Sequence, residues 1–412
     1  MNNELILLAI AIAAGLLVSR GARALKLPNV TAFLVAGLII GPGIANLITK
    51  EHVETMSIIS TAALGFIAFS IGGEFKLSHL KQIGSAPLTI TMYQGLMTAL
   101  LLDLGLIGLG FLIPGLFGSD PSLIVPQALM MGAIGLATAP AATLMVIRQY
   151  KADGPVARML LPVVAMDDAL GLVAFSISSA VASGLLGGQI TFTTMVLTPL
   201  WEIVGSLALG TAIGALTAFV AKFFRSRGNK LALAIAAVLG GVGLCDILGF
   251  SSLLVCMMIG AVVVNFSSQQ QAIMEQTDRF TPPVFLLFFV LSGADLDLAV
   301  LPSVGLLGVA YIVIRSFGKW FGAMLGATVE KSDHNIRKYL GFALLPQAGV
   351  AIGMARIVSA QFPQFGAQIN AIVLAATLIY ELVGPVITKI ALTKAGEIRP
   401  HHHVSKAASG TA

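Results

Sequence analysis
A chain of 412 residues with 57% hydrophobic side chains, 10% charged ones and a mean hydropathy of +0.94 falls outside the soluble globular class, where charged residues make up about 25%. The formal charge of +5 does not indicate nucleic acid, because the basic residues sit in short loops between apolar runs with no aromatic interleaving. Cys245 and Cys256 lie in apolar runs with no histidine beside them, which leaves them as packing residues, and no cofactor is expected.

A helix needs about twenty apolar residues to cross the hydrocarbon core. The first such run, Glu4 to Ser19, has no basic leader and no small-residue cleavage site, so it reads as a retained helix. It opens a series of about thirteen, near 3–20, 29–47, 54–73, 86–114, 123–147, 155–183, 195–224, 229–246, 249–265, 280–296, 300–327, 336–359 and 366–394. Basic residues collect in alternate loops: Arg20, Arg23 and Lys26; Lys76 and Lys81; Arg148, Lys151 and Arg158; Lys222, Arg225, Arg227 and Lys230; Arg279; and Lys331, Arg337 and Lys338. Among the opposite loops only Lys50 is basic. This asymmetry predicts an all-α, multi-pass protein of the inner membrane, with the N-terminus outside and the C-terminus in the cytoplasm.

The third span closes on Ser70-Ile-Gly-Gly-Glu-Phe-Lys-Leu77, which resembles Leu291-Ser-Gly-Ala-Asp-Leu-Asp-Leu298 at the end of the tenth. The second span, with Val35-Ala-Gly-Leu-Ile-Ile-Gly41, has a counterpart in Val255-Cys-Met-Met-Ile-Gly-Ala261 of the ninth. Seven spans separate the members of each pair, and an odd offset inverts the second copy. The expectation is two inverted-topology repeats with the seventh span as linker.

The fifth span contains Gly135-Leu-Ala-Thr-Ala-Pro-Ala-Ala-Thr143 and the twelfth Leu344-Leu-Pro-Gln-Ala-Gly-Val-Ala-Ile-Gly353. Pro140 and Pro346 each remove a backbone donor and crowd the preceding turn, which predicts a helix break in the same place of each half. Such matched breaks point to a midplane binding site where freed carbonyls face an ion. Thr138, Ala139 and Gln347 flank the prolines.

The sixth span places Asp167 and Asp168 at the bilayer centre, where each carboxylate costs about 2.5–3.5 kcal/mol on insertion scales, so adjacent acids there imply a function or a partner. In the eleventh span Arg315 lies near mid-depth, which makes it the better partner by position. Lys319, one turn nearer the cytoplasm, reads first as a side chain snorkelling to the interface. Glu381 of the thirteenth span repeats the acid-x-x-Gly spacing of Asp168 and Gly171, and is expected to pair with Arg356 or Lys319. Burial and a neighbouring cation act in opposite senses on the proton affinity of a carboxyl group, so such a pair can exchange a proton at physiological pH. If a hard monovalent cation and a proton compete for Asp168, and the site reorients only when occupied, a proton gradient drives cation extrusion. Thr138 and the broken-helix carbonyls would add the oxygen ligands that such a cation prefers.

The aspartate pair, the proline-broken fifth and twelfth spans and the basic residue of the eleventh resemble the monovalent cation/proton antiporter-2 family, especially its bacterial sodium/proton exchangers, over essentially the whole chain. The resemblance implies the sodium/proton antiporter fold with crossed broken helices over residues 1–396, and a short cytoplasmic tail over 397–412 expected to be disordered. It implies a homodimer in membrane lipid, with spans 1–3 and 8–10 at the interface and spans 4–6 and 11–13 as a core moving like an elevator. It also implies a transporter rather than an enzyme, in which Asp168 binds Na+ or Li+ and the proton, while Asp167 pairs with the base of the eleventh span. Ala139 stands where many electroneutral members carry an acid, which agrees with the Asp-Asp class. The alternatives are a potassium/proton antiporter of the same fold, a passive cation channel and a non-transporting subunit. The tail motif His401-His-His403 lies outside the spans.

Overall fold
The computed structural model of the chain describes residues 3–78, 84–187, 196–296 and 305–398. The tail beyond 398, with His401 to His403, lies outside the described residues, as do Lys81 and the end of the repeat at Asp297 and Leu298. Helices account for the described architecture, and no strand occurs among these residues. They are α1 (Glu4–Ala24), α2 (Asn29–Ile40), the short α3 (Lys50–Thr55), α4 (Ser57–Gly73), α5 (Ala86–Leu112), α6 (Ile124–Ile134), α7 (Pro140–Tyr150), α8 (Pro155–Leu185), α9 (Thr198–Val220), α10 (Arg227–Leu248), α11 (Ser252–Phe266), α12 (Gln270–Asp295), α13 (Gly305–Val329), α14 (His334–Ala343), α15 (Gly349–Gln361) and α16 (Gly366–Lys394).

Every expected span has a helical counterpart, the fifth as α6 plus α7 and the twelfth as α14 plus α15. Among the described residues seven helices are long and apolar enough to cross a bilayer by themselves. α2 stops short of the expected 29–47 crossing, and α11 starts three residues inside the expected 249–265 one; they have 12 and 15 residues, and both are buried along most of their length. A helix enclosed by protein need not reach both lipid interfaces, because its neighbours screen its ends. In contrast, α12 begins ten residues before the expected start, through the polar segment Gln270 to Arg279.

Close backbone approach at glycines marks both copies of the inverted repeat. A Cβ at Gly72 of α4 would collide with Met257 O of α11, and one at Gly260 of α11 with Phe69 O. In the second pair, a Cβ at Gly37 of α2 would collide with Val290 O of α12, and one at Gly293 with Leu34 O. Under the sequence alignment of the repeats, Gly72 corresponds to Gly293 and Met257 to Gly37. The α4–α11 crossing is therefore the image of the α12–α2 crossing, and both need the absence of a side chain to let backbones touch.

Helix contacts fall into two groups. α1, α2, α4 and α9 to α12 pack on one another, and α5 to α8 pack with α13 to α16. One apolar core fills the first group and extends onto Ala139, Ala141, Ala142 and Leu144, and onto Leu161 and Ala165 of α8. Two further cores fill the second group, one at each end.

Candidate functional site
The two helix breaks meet inside the second group. α6 ends at Ile134, and Ala139 takes an extended conformation (φ −81°, ψ 104°), as the residue before a proline prefers. Pro140 then opens α7 at a position where a helix has no use for its N–H. In the other half α14 ends at Ala343 and α15 begins at Gly349. The breaks are joined directly, Ala139 N donating to Pro346 O at 2.8 Å.

A broken helix inside a membrane protein leaves its terminal carbonyls without intrahelical donors. Here four successive ones are satisfied by side chains. Ile134 O accepts from Gln347 Nε2 (3.0 Å), Gly135 O from Arg315 Nε (2.9 Å), Leu136 O from Lys319 Nζ (2.5 Å) and Ala137 O from an Arg315 terminal nitrogen (2.7 Å). The other terminal nitrogen of Arg315 reaches Leu345 O of the second break at 2.8 Å. One guanidinium thus ties both breaks together, with its Cζ 4.4 Å from the Tyr380 ring centroid. The two cations also sit at the negative ends of α6 and α14, where the helix dipoles favour them.

Lys319 holds Asp167. Its Nζ is 3.0 Å from Asp167 Oδ2 and 2.9 Å from Thr138 Oγ1, and Thr138 donates to the same carboxylate oxygen at 2.7 Å. The reading by depth ranked Arg315 first and sent Lys319 toward the interface; the structure gives the carboxylate contact to Lys319, with both side chains 0% exposed. The physical reason is shape. A planar fork serves several fixed carbonyls at once, whereas a point charge on a flexible stem suits one carboxylate.

Asp167 and Asp168 are adjacent but not equivalent. Asp167 has both oxygens occupied, Oδ2 as described and Oδ1 by Nε2 of Gln94 on α5. Asp168 is 2% exposed, and neither of its carboxyl oxygens has a hydrogen-bond partner. Gly171, one turn along on the same helix face, approaches Leu136 Cβ and Ala137 N of the first break and Met354 Cε of α15. Asp168 therefore presents a free carboxyl group on the face of α8 turned to the crossing.

Glu381 lies elsewhere. It is buried on α16, and no ion pair links it to Arg356 or Lys319 among the described residues. Its acid-x-x-Gly spacing has a packing role, since Gly384 lies against Pro346 as Gly171 lies against the first break. Among the described residues no three His, Cys, Asp or Glu side chains cluster as a multidentate metal cage would require.

Comparison with known proteins agrees with this architecture. The family described as "Sodium/hydrogen exchanger, transmembrane" matches residues 7–394. The chain belongs to the sodium/hydrogen exchanger family. The exchanger is similar in fold to a solved structure of the sodium proton antiporter MjNhaP1 from Methanocaldococcus jannaschii at pH 8, with a TM-score of 0.66 and 20% identity over 96% of this chain and 97% of that one. An electron-microscopy structure of the same antiporter gives a TM-score of 0.76, again with 20% identity, over 96% and 98% of the two chains. No curated protein sequence matches the exchanger.

Two features of the exchanger's site escaped the sequence reading. Gln94 sits inside an apolar run, where a buried amide carries the same signal as a buried acid. Tyr311, whose OH accepts from Gln347 Nε2 at 2.9 Å, has no counterpart among the residues that the sequence singles out.

Proposed function
We propose that this exchanger is an antiporter of the monovalent cation/proton antiporter-2 type, Asp-Asp class, that moves Na+ or Li+ against protons by alternating access. The observation that carries the proposal is the pairing of a fixed carboxylate with a free one: Asp167 is tied down by Lys319, Thr138 and Gln94, while both Asp168 oxygens are unpartnered. A proton or a dehydrated hard cation can satisfy Asp168, and each excludes the other. Thr138 and the carbonyls at the two breaks are the nearby oxygens suited to complete a cation shell.

A carboxyl buried without partners resists movement through the protein as a bare charge, so the site changes sides only when proton or cation occupies it. The helix group holding α5–α8 and α13–α16 is the moving body, and the group holding α1–α4 and α10–α12 is the dimer scaffold in lipid, joined through α9. The basic loop ends face the cytoplasm of a bacterial cell, with the N-terminus outside. Lysine rather than arginine on Asp167 places a second group able to release a proton beside the exchange site.

The test is dequenching of a pH-sensitive dye in proteoliposomes under an imposed proton gradient, with sodium, lithium and potassium added separately. Wild-type protein is expected to release protons on addition of sodium or lithium, and Asp168→Asn to give no cation-dependent signal at any pH. Silence toward all three cations, or an unaffected Asp168→Asn variant, overturns the reading. A response to potassium alone reassigns the cargo.

A further inference from the structure
Gln94 lies a third of the way along α5, wholly buried, with one end of its amide on Asp167 and the other end unused: Nε2 donates to Asp167 Oδ1, and Oε1 has no partner. A buried amide half satisfied in this way is less favourable than an apolar side chain of the same volume unless both ends are used in turn.

Its surroundings leave it little freedom except rotation of the amide. Gly318, Gly322 and Gly326 of α13 form a smooth ridge on which α5 rests. A Cβ at Gly322 would lie 2.5 Å from Gln94 Cα, and those at Gly318 and Gly326 would lie 2.9 Å from Thr98 Cα and 2.8 Å from Ile90 Cα. The α5 backbone is thus fixed beside the turn of α13 that carries Lys319. The terminal amide torsion, by contrast, is broad and roughly two-fold. A half-turn exchanges the donor for the acceptor. An ionised Asp167 Oδ1 takes the amide N–H, and an Oδ1 that carries a proton gives it to the amide oxygen.

We propose that Gln94 is a positioning residue of the exchange cycle: by alternating between donor and acceptor it holds the Asp167 carboxyl in one orientation whatever its charge, leaving Asp168 as the carboxyl that turns to the ion. This rests on the reading of Asp168 as the exchange site. Lys319 and Thr138 anchor the other oxygen, Oδ2, and neither reaches Oδ1. Without Gln94 the carboxyl pivots about Oδ2, and the geometry offered to the cation is lost while the ion pair survives.

The experiment reconstitutes the full chain as wild type, Gln94→Met, Gln94→Glu and Asp168→Asn, and measures sodium-driven proton release against sodium concentration at several pH values. Gln94→Met keeps the volume and loses both hydrogen-bonding functions. It is expected to raise the half-saturating sodium concentration roughly tenfold, the loss of one hydrogen bond to a charged group, with a much smaller change in the maximal rate. Gln94→Glu is nearly isosteric. When protonated it can donate and accept as glutamine does, and when ionised it repels Asp167. Its activity relative to wild type at the same pH should therefore be near unity at about pH 6 and fall steeply by about pH 8.5, a dependence that Gln94→Met lacks.

Variants with wild-type sodium affinity at every pH overturn the proposal, as does a folded Gln94→Glu variant impaired equally across the pH range. If wild type fails to exchange, or Asp168→Asn still transports, the parent reading fails instead. If those two controls behave and Gln94→Met matches wild type, only the inference about Gln94 fails.

Discussion

Arg315 makes its three hydrogen bonds to carbonyls of two separate helix breaks, so it acts as a clamp on the backbone and not as a counter-ion for the aspartates. Arg315→Lys preserves the charge but replaces the fork with one compact ammonium, which leaves two of the three carbonyls without donors. An unsatisfied buried acceptor costs about 1–3 kcal/mol, so the substitution should destabilise the folded protein by about 2–6 kcal/mol. The expected outcome is a thermal unfolding midpoint in detergent several degrees below wild type, with sodium-driven proton release lost. An unchanged midpoint would mean that the breaks hold without the clamp. The residue scale also shows where sequence reading stops. The presence of two basic side chains in an apolar span was legible, and so was the need for partners. Which cation meets which acceptor was not, because depth along a helix says nothing about the direction of a side chain around it. The carbonyls of Gly135, Ala137 and Leu345 become candidates only once both breaks are placed in space.

α8 carries both aspartates, and its start is held by a carboxylate from far along the chain. Glu397 accepts from Val156 N at 2.7 Å through Oε1 and from Ala157 N at 2.8 Å through Oε2, and a Cβ at Gly154 would run into the Glu397 side chain. An anion at this end is favoured by the helix dipole and satisfies two of the N–H groups that a helix start leaves free. The sequence reading assigned Glu397 to the tail, since nothing in the local pattern foretells a cap from a distant segment. By contrast the helix breaks were legible, because a proline's missing donor acts within its own turn. Burial pushes the Glu397 carboxyl above its ordinary value of 4.5, and the two amide donors only partly oppose this. A carboxyl that binds its proton more tightly in the folded protein contributes stability that is fully present below the unfolded value and is lost as pH rises through the folded one. Glu397→Gln removes that titration. The difference in unfolding midpoint between wild type and Glu397→Gln should therefore favour wild type most below about pH 4.5 and move against it as pH rises toward neutrality. The opposite slope would show that the amide donors outweigh burial.

At the scale of the whole molecule the two helix groups touch through an apolar face and a band of polar contacts at the basic end. Arg148 at the close of α7 lies 3.0 Å from Asp278 of α12 and 3.8 Å from Glu74 beside α4. Gln149 Oε1 accepts from Asn29 N at 2.7 Å, and Lys389 Nζ donates to Lys26 O at 2.6 Å. The repeat was readable because glycine pairs mark both closest crossings, whereas this band joins residues up to 363 positions apart and has no local signature. If the group bearing Asp168 moves past the other, these contacts exist in one state and break in the other. A ligand or contact shifts such an equilibrium only by its differential free energy between the two states. The Arg148 pairs are partly exposed, so they are worth about 0.2–1 kcal/mol, enough to bias the two states by up to roughly fivefold. Arg148→Glu should therefore change the maximal rate of sodium-driven proton release by a factor of about two to five, and adding Asp278→Arg should return it toward wild type. The effect should fade at about 1 M choline chloride, where the screening length is about 3 Å. A double substitution no closer to wild type than Arg148→Glu would place the moving boundary elsewhere in the bundle, because a contact that persists through the cycle cannot alter the balance between its two ends.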